Sequence, residues 1–301
     1  LIGRLLLQRA SGHALGMDPS FVNFGRIGGK PYVDEYEAAR RGLNLNVSHH
    51  GVFCVLGMEE KTLVGVDVTG LKPPRQVNTE TFFEIMGTTL TKKEWSSVRN
   101  AGTTEKQRFH AYFVHWVLKE AYIKAVGIGL SLPLEKIEFT VPHEILCHSV
   151  QRPGSGDGGI IRRMQRDSEI RVAVEGKEIK DWEFELYMLP QDHIMGVAVG
   201  PHTDATPGYK KVIQDLIEAG ESGGITVENE KSVGLKESGG ETPSVPNPSR
   251  RRRDSRVDEY KFLRTVNVVE ARQSDEKTAD VLVGELQSLF SSMIRSGAVI
   301  S

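Results

Sequence analysis

Three short stretches of the chain hold carboxylates, lysines, histidines and a serine, side chains of types that can do chemistry. In Trp116-Val-Leu-Lys119-Glu120-Ala-Tyr-Ile-Lys124, the residues Trp116, Glu120 and Lys124 stand four apart and share one face of a helix. Leu63-Val64-Gly65-Val66-Asp67-Val68 is an apolar run with a single acid, and Ser48-His49-His50 closes a further run just before Gly51. Each has an ordinary explanation. A Glu-to-Lys pair at this spacing adds only about 0.2–0.5 kcal/mol on an exposed helix and is common. Two histidines before a glycine suit an exposed turn, and Asp67 would serve to cap a loop at a strand end. Asp67 nevertheless makes the sharper demand, because a lone carboxylate in apolar surroundings must be paired, protonated or bound to a cation. A hard cation with oxygen ligands answers it. Magnesium takes one or two protein carboxylates and fills its remaining positions with water and phosphate oxygens, so Asp67 and Glu120 together would suffice.

These side chains need elements to hold them. Residues 105–126 read as one long patterned helix, stopped by Gly127, Gly129 and Pro133. The run at 63–68 reads as a strand buried on both faces. Leu43 to Ser48 and Val52 to Gly57 read as a hairpin turning at His49-His50-Gly51. Further helices are expected over 1–14, 79–86 and 91–99, and a Gly-rich turn at 26–31 ends the first segment. Strands are expected at Ile137–Val141, Ile170–Val174, Trp182–Leu189 and Ile194–Val199, with Trp182, Phe184, Leu186 and Met188 on one face and Glu183 and Glu185 on the other. Gln151–Gly159 reads as a Gly-rich loop. This mixture predicts an α+β class with an antiparallel sheet beside helices. After Gly200 the composition turns to Gly, Ser, Glu and Pro, with ESGG at 221–224 and 237–240, which predicts a largely disordered tail over 201–301 with short helices at 258–270 and 279–295.

Bulk properties narrow the classes. A 301-residue chain with 39% hydrophobic residues can bury a sizeable core and could hold two domains. A formal net charge of −2 gives no global case for nucleic acid or anionic membrane. No apolar run approaches the roughly 20 residues that cross a bilayer, and Arg4 and Arg9 interrupt the apolar start. The two cysteines, Cys54 and Cys147, are too few for a disulfide framework, so a reducing compartment, the cytosol, is expected.

Four segments in order, GKPYV at 29–33, NVSHHG at 46–51, VGVDV at 64–68 and WVLKEAYIKAVGIGL at 116–130, resemble the motifs of the Sfp-type 4'-phosphopantetheinyl transferases. The last resembles that family's W-x-x-K-E-x-x-x-K signature. FFEIMGTTLTKKEW at 82–95 resembles the aminoadipate-semialdehyde dehydrogenase-phosphopantetheinyl transferase branch, which is tied to lysine biosynthesis. The resemblance covers roughly residues 1–200. It implies two pseudo-repeated subdomains, at 1–61 and 62–200, each an antiparallel sheet packed with helices, and coenzyme A in the cleft between them. It implies a holo-[acyl-carrier-protein] synthase that moves 4'-phosphopantetheine from coenzyme A to a serine of an apo carrier protein and releases 3',5'-ADP.

The same resemblance assigns roles residue by residue. Asp67 and Glu120 hold Mg2+; Glu120 is the general base, and Lys124 acts beside it. Lys119 and Lys124 offset the charge of the phosphates, Ser48 and His49 contact a phosphate of coenzyme A, and Lys30 and Pro31 lie beside the nucleotide. His50 is a third candidate beside the metal. Thr69 stands where many family members carry a second acid. An acidic carrier helix is expected to dock near Lys92 and Lys93. The family has a further N-terminal stretch ahead of the segment that begins here, so the resemblance implies an N-terminally truncated fold. That departure leaves an alternative, a catalytically impaired module that binds coenzyme A or a carrier protein.

Two other signals carry less. His143-Glu-Ile-Leu-Cys147-His148 looks zinc-like, but its histidines are five apart and do not share a helix face. Arg250–Arg253 reads as a solvated basic run.

Overall fold

In a computed structural model the described residues are 2–72, 78–147, 162–166, 170–222 and 265–270. The Gly-rich loop at 151–159, the second ESGG, Arg250–Arg253 and the segment 279–295 lie outside them.

The first part of the chain is built around one hairpin. Helix α1 (Ile2–Leu15) precedes the short hairpin β1 (Phe24–Ile27) and β2 (Lys30–Val33), then helix α2 (Tyr36–Arg41). Strands β3 (Leu43–His50) and β4 (Phe53–Glu60) pair antiparallel from Leu43↔Glu60 to His50↔Phe53. The turn is therefore Gly51-Val52, and both histidines sit at the end of β3, not in the turn. The ladder runs two residues further than the apolar pattern suggested because exposed histidines pair their backbones as well as apolar residues do. Leu43 and Leu45 pack on Leu6, Leu7 and Ala10 of α1, together with Cys54 and Leu56 of β4. The alternate positions of β3, Asn44, Asn46 and Ser48, are also buried, on the opposite face.

Strand β5 (Thr62–Gly70) opens the second part. Helices α3 (Thr79–Ile85), α4 (Lys92–Asn100) and α5 (Glu105–Val126) follow, then β6 (Ile137–Thr140), α6 (His143–Cys147), β7 (Arg162–Arg166), β8 (Arg171–Val174), β9 (Lys177–Ile179), β10 (Glu183–Leu189), β11 (His193–Pro201) and α7 (Pro207–Ser222). One sheet has the order β5-β11-β10-β7 and a smaller one β6-β8-β9. Helix α5 starts with a capping box, Thr104 and Gln107, and ends at Gly127 in a left-handed conformation. It is buried on most sides, and Phe109, Tyr112, Val114, Leu118 and Ile123 anchor the largest apolar cluster. A third cluster lies between β4 and the sheet, where Phe53 and Val55 meet Val64, Val66, Val197 and Val199. The α+β architecture expected from the pattern is what the chain adopts.

Two further elements depart from the pattern. Residues 207–222, which composition assigns to the disordered tail, form α7, with Tyr209 buried and its hydroxyl accepting from Asn44 Nδ2 at 3.0 Å. Val212, Ile213, Leu216 and Ile217 recur at helical spacing beside Tyr209, and Ile213 also packs on the main core cluster, so the segment has an apolar stripe that the bulk composition of the tail hides. Residues 265–270, expected within a helix, form strand β12 (Thr265–Glu270) antiparallel to β4. The β-branched run there answers an edge that β3 leaves open on the other side of β4.

Candidate functional site

Two glycines decide how closely α5 approaches the sheet. A Cβ on Gly65 of β5 would lie 2.0 Å from the Ala121 carbonyl oxygen and 2.4 Å from the Ala125 nitrogen. One on Gly196 of β11 would lie 2.9 Å from the Val117 carbonyl oxygen. Helix backbone therefore rests directly on strand backbone. Asp67 is two residues along from Gly65 and projects from the same strand face. The close approach sets it opposite the next turns of α5, which carry Glu120 and Lys124.

Those residues meet at an open cleft of about 430 Å³, walled by Val47, Ser48, His49 and His50 of β3, Asp67, Val68 and Thr69 of β5, and Trp116, Glu120 and Lys124 of α5. Lys124 Nζ donates to Asp67 Oδ1 at 2.6 Å and to Ser48 Oγ at 3.0 Å, and Ser48 Oγ in turn donates to Asp67 Oδ1 at 2.9 Å. Asp67 is thus a buried carboxylate paired with a half-exposed ammonium, which accounts for an acid in an apolar strand. Glu120 shares the cleft. Burial and then the negative charge of Asp67 hold its carboxyl above the usual range, and Lys124 only partly offsets them. The cleft thus brings two carboxyl groups and one lysine amine together, with His49 and His50 beside them.

β3 reaches β5 through side chains. Asn44 Oδ1 accepts from the Val64 amide at 2.8 Å and Asn46 Oδ1 from the Val66 amide at 3.0 Å, and Ser48 continues the series to Asp67. Every second residue of Asn44-Leu-Asn46-Val-Ser48 therefore bonds across the seam, fixing where Ser48, His49 and His50 stand. The sequence reading missed Asn44 and Asn46. The polar alternation of LNLNVS was the available signal, but alternation ordinarily marks a solvated face.

The comparisons with known proteins bear on this geometry. The sequence model of the 4'-phosphopantetheinyl transferase superfamily matches residues 63–156, and that of the 4'-phosphopantetheinyl transferase N-terminal region matches residues 1–61. The Bacillus subtilis 4'-phosphopantetheinyl transferase is 31% identical over 194 residues, covering 61% of this chain and 79% of that protein. This chain belongs to the 4'-phosphopantetheinyl transferase superfamily. The L-aminoadipate-semialdehyde dehydrogenase-phosphopantetheinyl transferases of Xenopus laevis and Rattus norvegicus are 32% and 30% identical to it, over 66% of the chain in both cases. The chain spans 61% and 60% of their respective lengths.

The residues that carry the family motifs separate in space. Ser48, His49, His50, Asp67, Thr69, Glu120 and Lys124 line the cleft; Lys30, Pro31 and Lys119 do not. Lys119 follows Leu118 and precedes Glu120, but one residue is a turn of about 100° round a helix. Its amine is fully buried, 2.6 Å from Glu94 Oε2, and donates to the carbonyl oxygens of Thr89 and Leu134. Glu94 also closes the capping box of α4 with Thr91 and accepts from the Phe139 amide. In this structure Lys119 thus ties α5 to α4 from outside the cleft, apart from the residues with which the motif groups it. Lys30, expected beside the nucleotide, is likewise buried outside the cleft lining, with its amine on two backbone carbonyls. Pro31, next to it in β2, is buried. On α6, His143 and Cys147 touch at 3.1 Å, while His148 is outside the described residues. No group of three or more His, Cys, Asp or Glu is assembled for a metal among the described residues.

Proposed function

We propose that this chain transfers 4'-phosphopantetheine from coenzyme A to a serine hydroxyl of an apo carrier protein. The serine oxygen bonds to the β-phosphorus of coenzyme A, the bond from that phosphorus to the bridging pyrophosphate oxygen breaks, and 3',5'-ADP leaves. The observation that carries this reading is the convergence of Ser48, Asp67, Glu120 and Lys124 on one open cleft. Phosphoryl transfer needs charge neutralisation and positioning more than covalent help, and those four groups supply both.

Each side chain has a role its surroundings support. Glu120, with its raised proton affinity, takes the serine proton directly or through a water. Lys124 offsets phosphate charge from the cleft wall, with Ser48 and His49 as hydrogen-bonding partners on the β3 side. Asp67 and Glu120 would hold a magnesium ion. Two carboxylates beside open space meet that ion's demand, since it keeps several waters and takes substrate phosphates as ligands. When bound, magnesium neutralises pyrophosphate charge. His50 and Thr69 also border the cleft, and His50 would complete the ligand set.

The acceptor class follows from the relatives' names, an aminoadipate-semialdehyde dehydrogenase or another carrier protein. Lys92 at the start of α4 is exposed and Lys93 is held by Glu138, which makes this helix end a candidate for an acidic carrier helix. Reversing both charges should raise the carrier KM, and an unchanged KM would exclude this surface. No helix among the described residues is long and apolar enough to cross a membrane. Both cysteines are free, which supports placing the activity in the cytosol. The binding-only alternative is not favoured, since both carboxylates and Lys124 line the cleft.

Incubation with coenzyme A, magnesium and an apo carrier, followed by intact-mass measurement of the carrier, tests the reading. The carrier should gain one phosphopantetheine, and Asp67→Asn or Glu120→Gln should remove the gain. No gain, with a known transferase working in parallel, overturns it.

A further inference from the structure

Lys30 is 3% exposed and lies outside the cleft, yet its amine touches both elements that carry the cleft's charges. It donates to the Val64 carbonyl oxygen of β5 at 3.0 Å, three residues before Asp67, and to the Lys124 carbonyl oxygen of α5 at 3.2 Å. No carboxylate is paired with it among the described residues; the Tyr209 ring lies 5.7 Å from the amine. A buried amine held only by backbone oxygens is an unusual arrangement, and both oxygens need it.

The last carbonyls of a helix have no partner within it. At the end of α5 the Ile123 oxygen accepts from the Gly127 amide and the Val126 oxygen from the Thr206 amide. The Lys124 oxygen accepts from Lys30, so Lys30 is a C-terminal cap contributed by a distant strand, where a positive or polar donor is favoured. Val64 is in a similar position on β5. Its amide is taken by Asn44, and its carbonyl by Lys30. The stem of Lys30 passes close to Gly127, where an added Cβ would lie 3.1 Å from Lys30 Cδ. The helix end, the strand and β2 are therefore fitted around this one side chain.

We propose that Lys30 is a positioning residue: by tying the Lys124 carbonyl to the Val64 carbonyl it pins the C-terminal end of α5 to β5, at the approach the two glycines allow, and so holds the Lys124 amine on Ser48 and Asp67. It acts through Lys124, its amine being held on backbone oxygens outside the cleft lining. The kinetic part of the claim rests on the transferase reading; the placement of Lys124 does not.

A double-mutant cycle on Lys30→Met and Lys124→Met tests it. Lys30→Met should lower kcat about tenfold with the KM for coenzyme A within about twofold, and the double variant should be no slower than Lys124→Met alone. Multiplicative losses would overturn the proposal, as would a change confined to the KM for coenzyme A, which marks a direct contact. The side-chain ammonium NMR signal of Lys124, read without substrate, should move in Lys30→Met and stay put in Lys211→Met, a change on exposed α7. An unmoved Lys124 signal overturns the proposal whether or not the chain transfers anything, whereas a shifted signal in an inactive chain sinks only the transferase reading. If Lys30→Met does not fold, Lys30→Gln, whose shorter side chain cannot bridge the two carbonyls, carries the same cycle and the same signal.

Discussion

Asp67 and Glu120 share one cleft in which the Lys124 ammonium is bonded to Asp67, an arrangement of two acids that favours a bound cation. Because the folded-state pKa of Glu120 is raised, the stability it contributes is complete below the unfolded carboxyl pKa and is lost as pH rises through the folded value. At neutral pH Glu120→Gln should therefore abolish transfer and still raise the metal-free melting temperature by about 2–4 °C. A melting temperature that falls would show that the Glu120 charge is not a strain on the fold. Lys30 has the opposite sign. Burial lowers its pKa to about 7, so its contribution is complete above the unfolded lysine range and is lost as pH falls through the folded value. Wild-type stability in urea should thus rise between about pH 7 and about pH 9, and Lys30→Met should flatten that rise.

At the level of elements, the site depends on a helix laid bare against a strand. Gly65→Ala puts a methyl group into the Ala121 carbonyl, and the helix must move away. The expected cost is about 1–3 kcal/mol, with a fall in kcat exceeding that of an equally destabilising change elsewhere, because Glu120 and Lys124 move with the helix. Melting temperature and kcat measured together decide it. The sequence made α5 legible, since its caps, length and pattern agree, and it made Asp67 legible as an acid out of place. Lys119 and Lys30 were not legible. A lysine on a solvated face and a lysine buried on carbonyls look alike in sequence, and only the packing of α4 and β2 against α5 distinguishes them. The strand at 265–270 was missed for a similar reason, since its partner β4 is some two hundred residues away.

For the whole molecule, the boundary that matters lies beyond Gly200. A chain stopped there loses Tyr209 and leaves Asn44 Nδ2 without its partner in a buried seam, so it should be markedly less stable than one stopped after Ser222. The longer form still gives up β12, which uncovers the edge of β4 and should promote self-association, measurable by light scattering. Equal melting temperatures for the two truncations would show that α7 is not part of the fold. The seam has one more consequence. Leucines on one face of β3 serve α1, and Asn44, Asn46 and Ser48 on the other serve β5. A one-residue slip of the hairpin would turn every asparagine toward α1 and every leucine toward the cleft. Misregistered molecules would then show greasy, unpaired surface to the cell's proteolytic surveillance, so inspection of the fold doubles as inspection of Ser48.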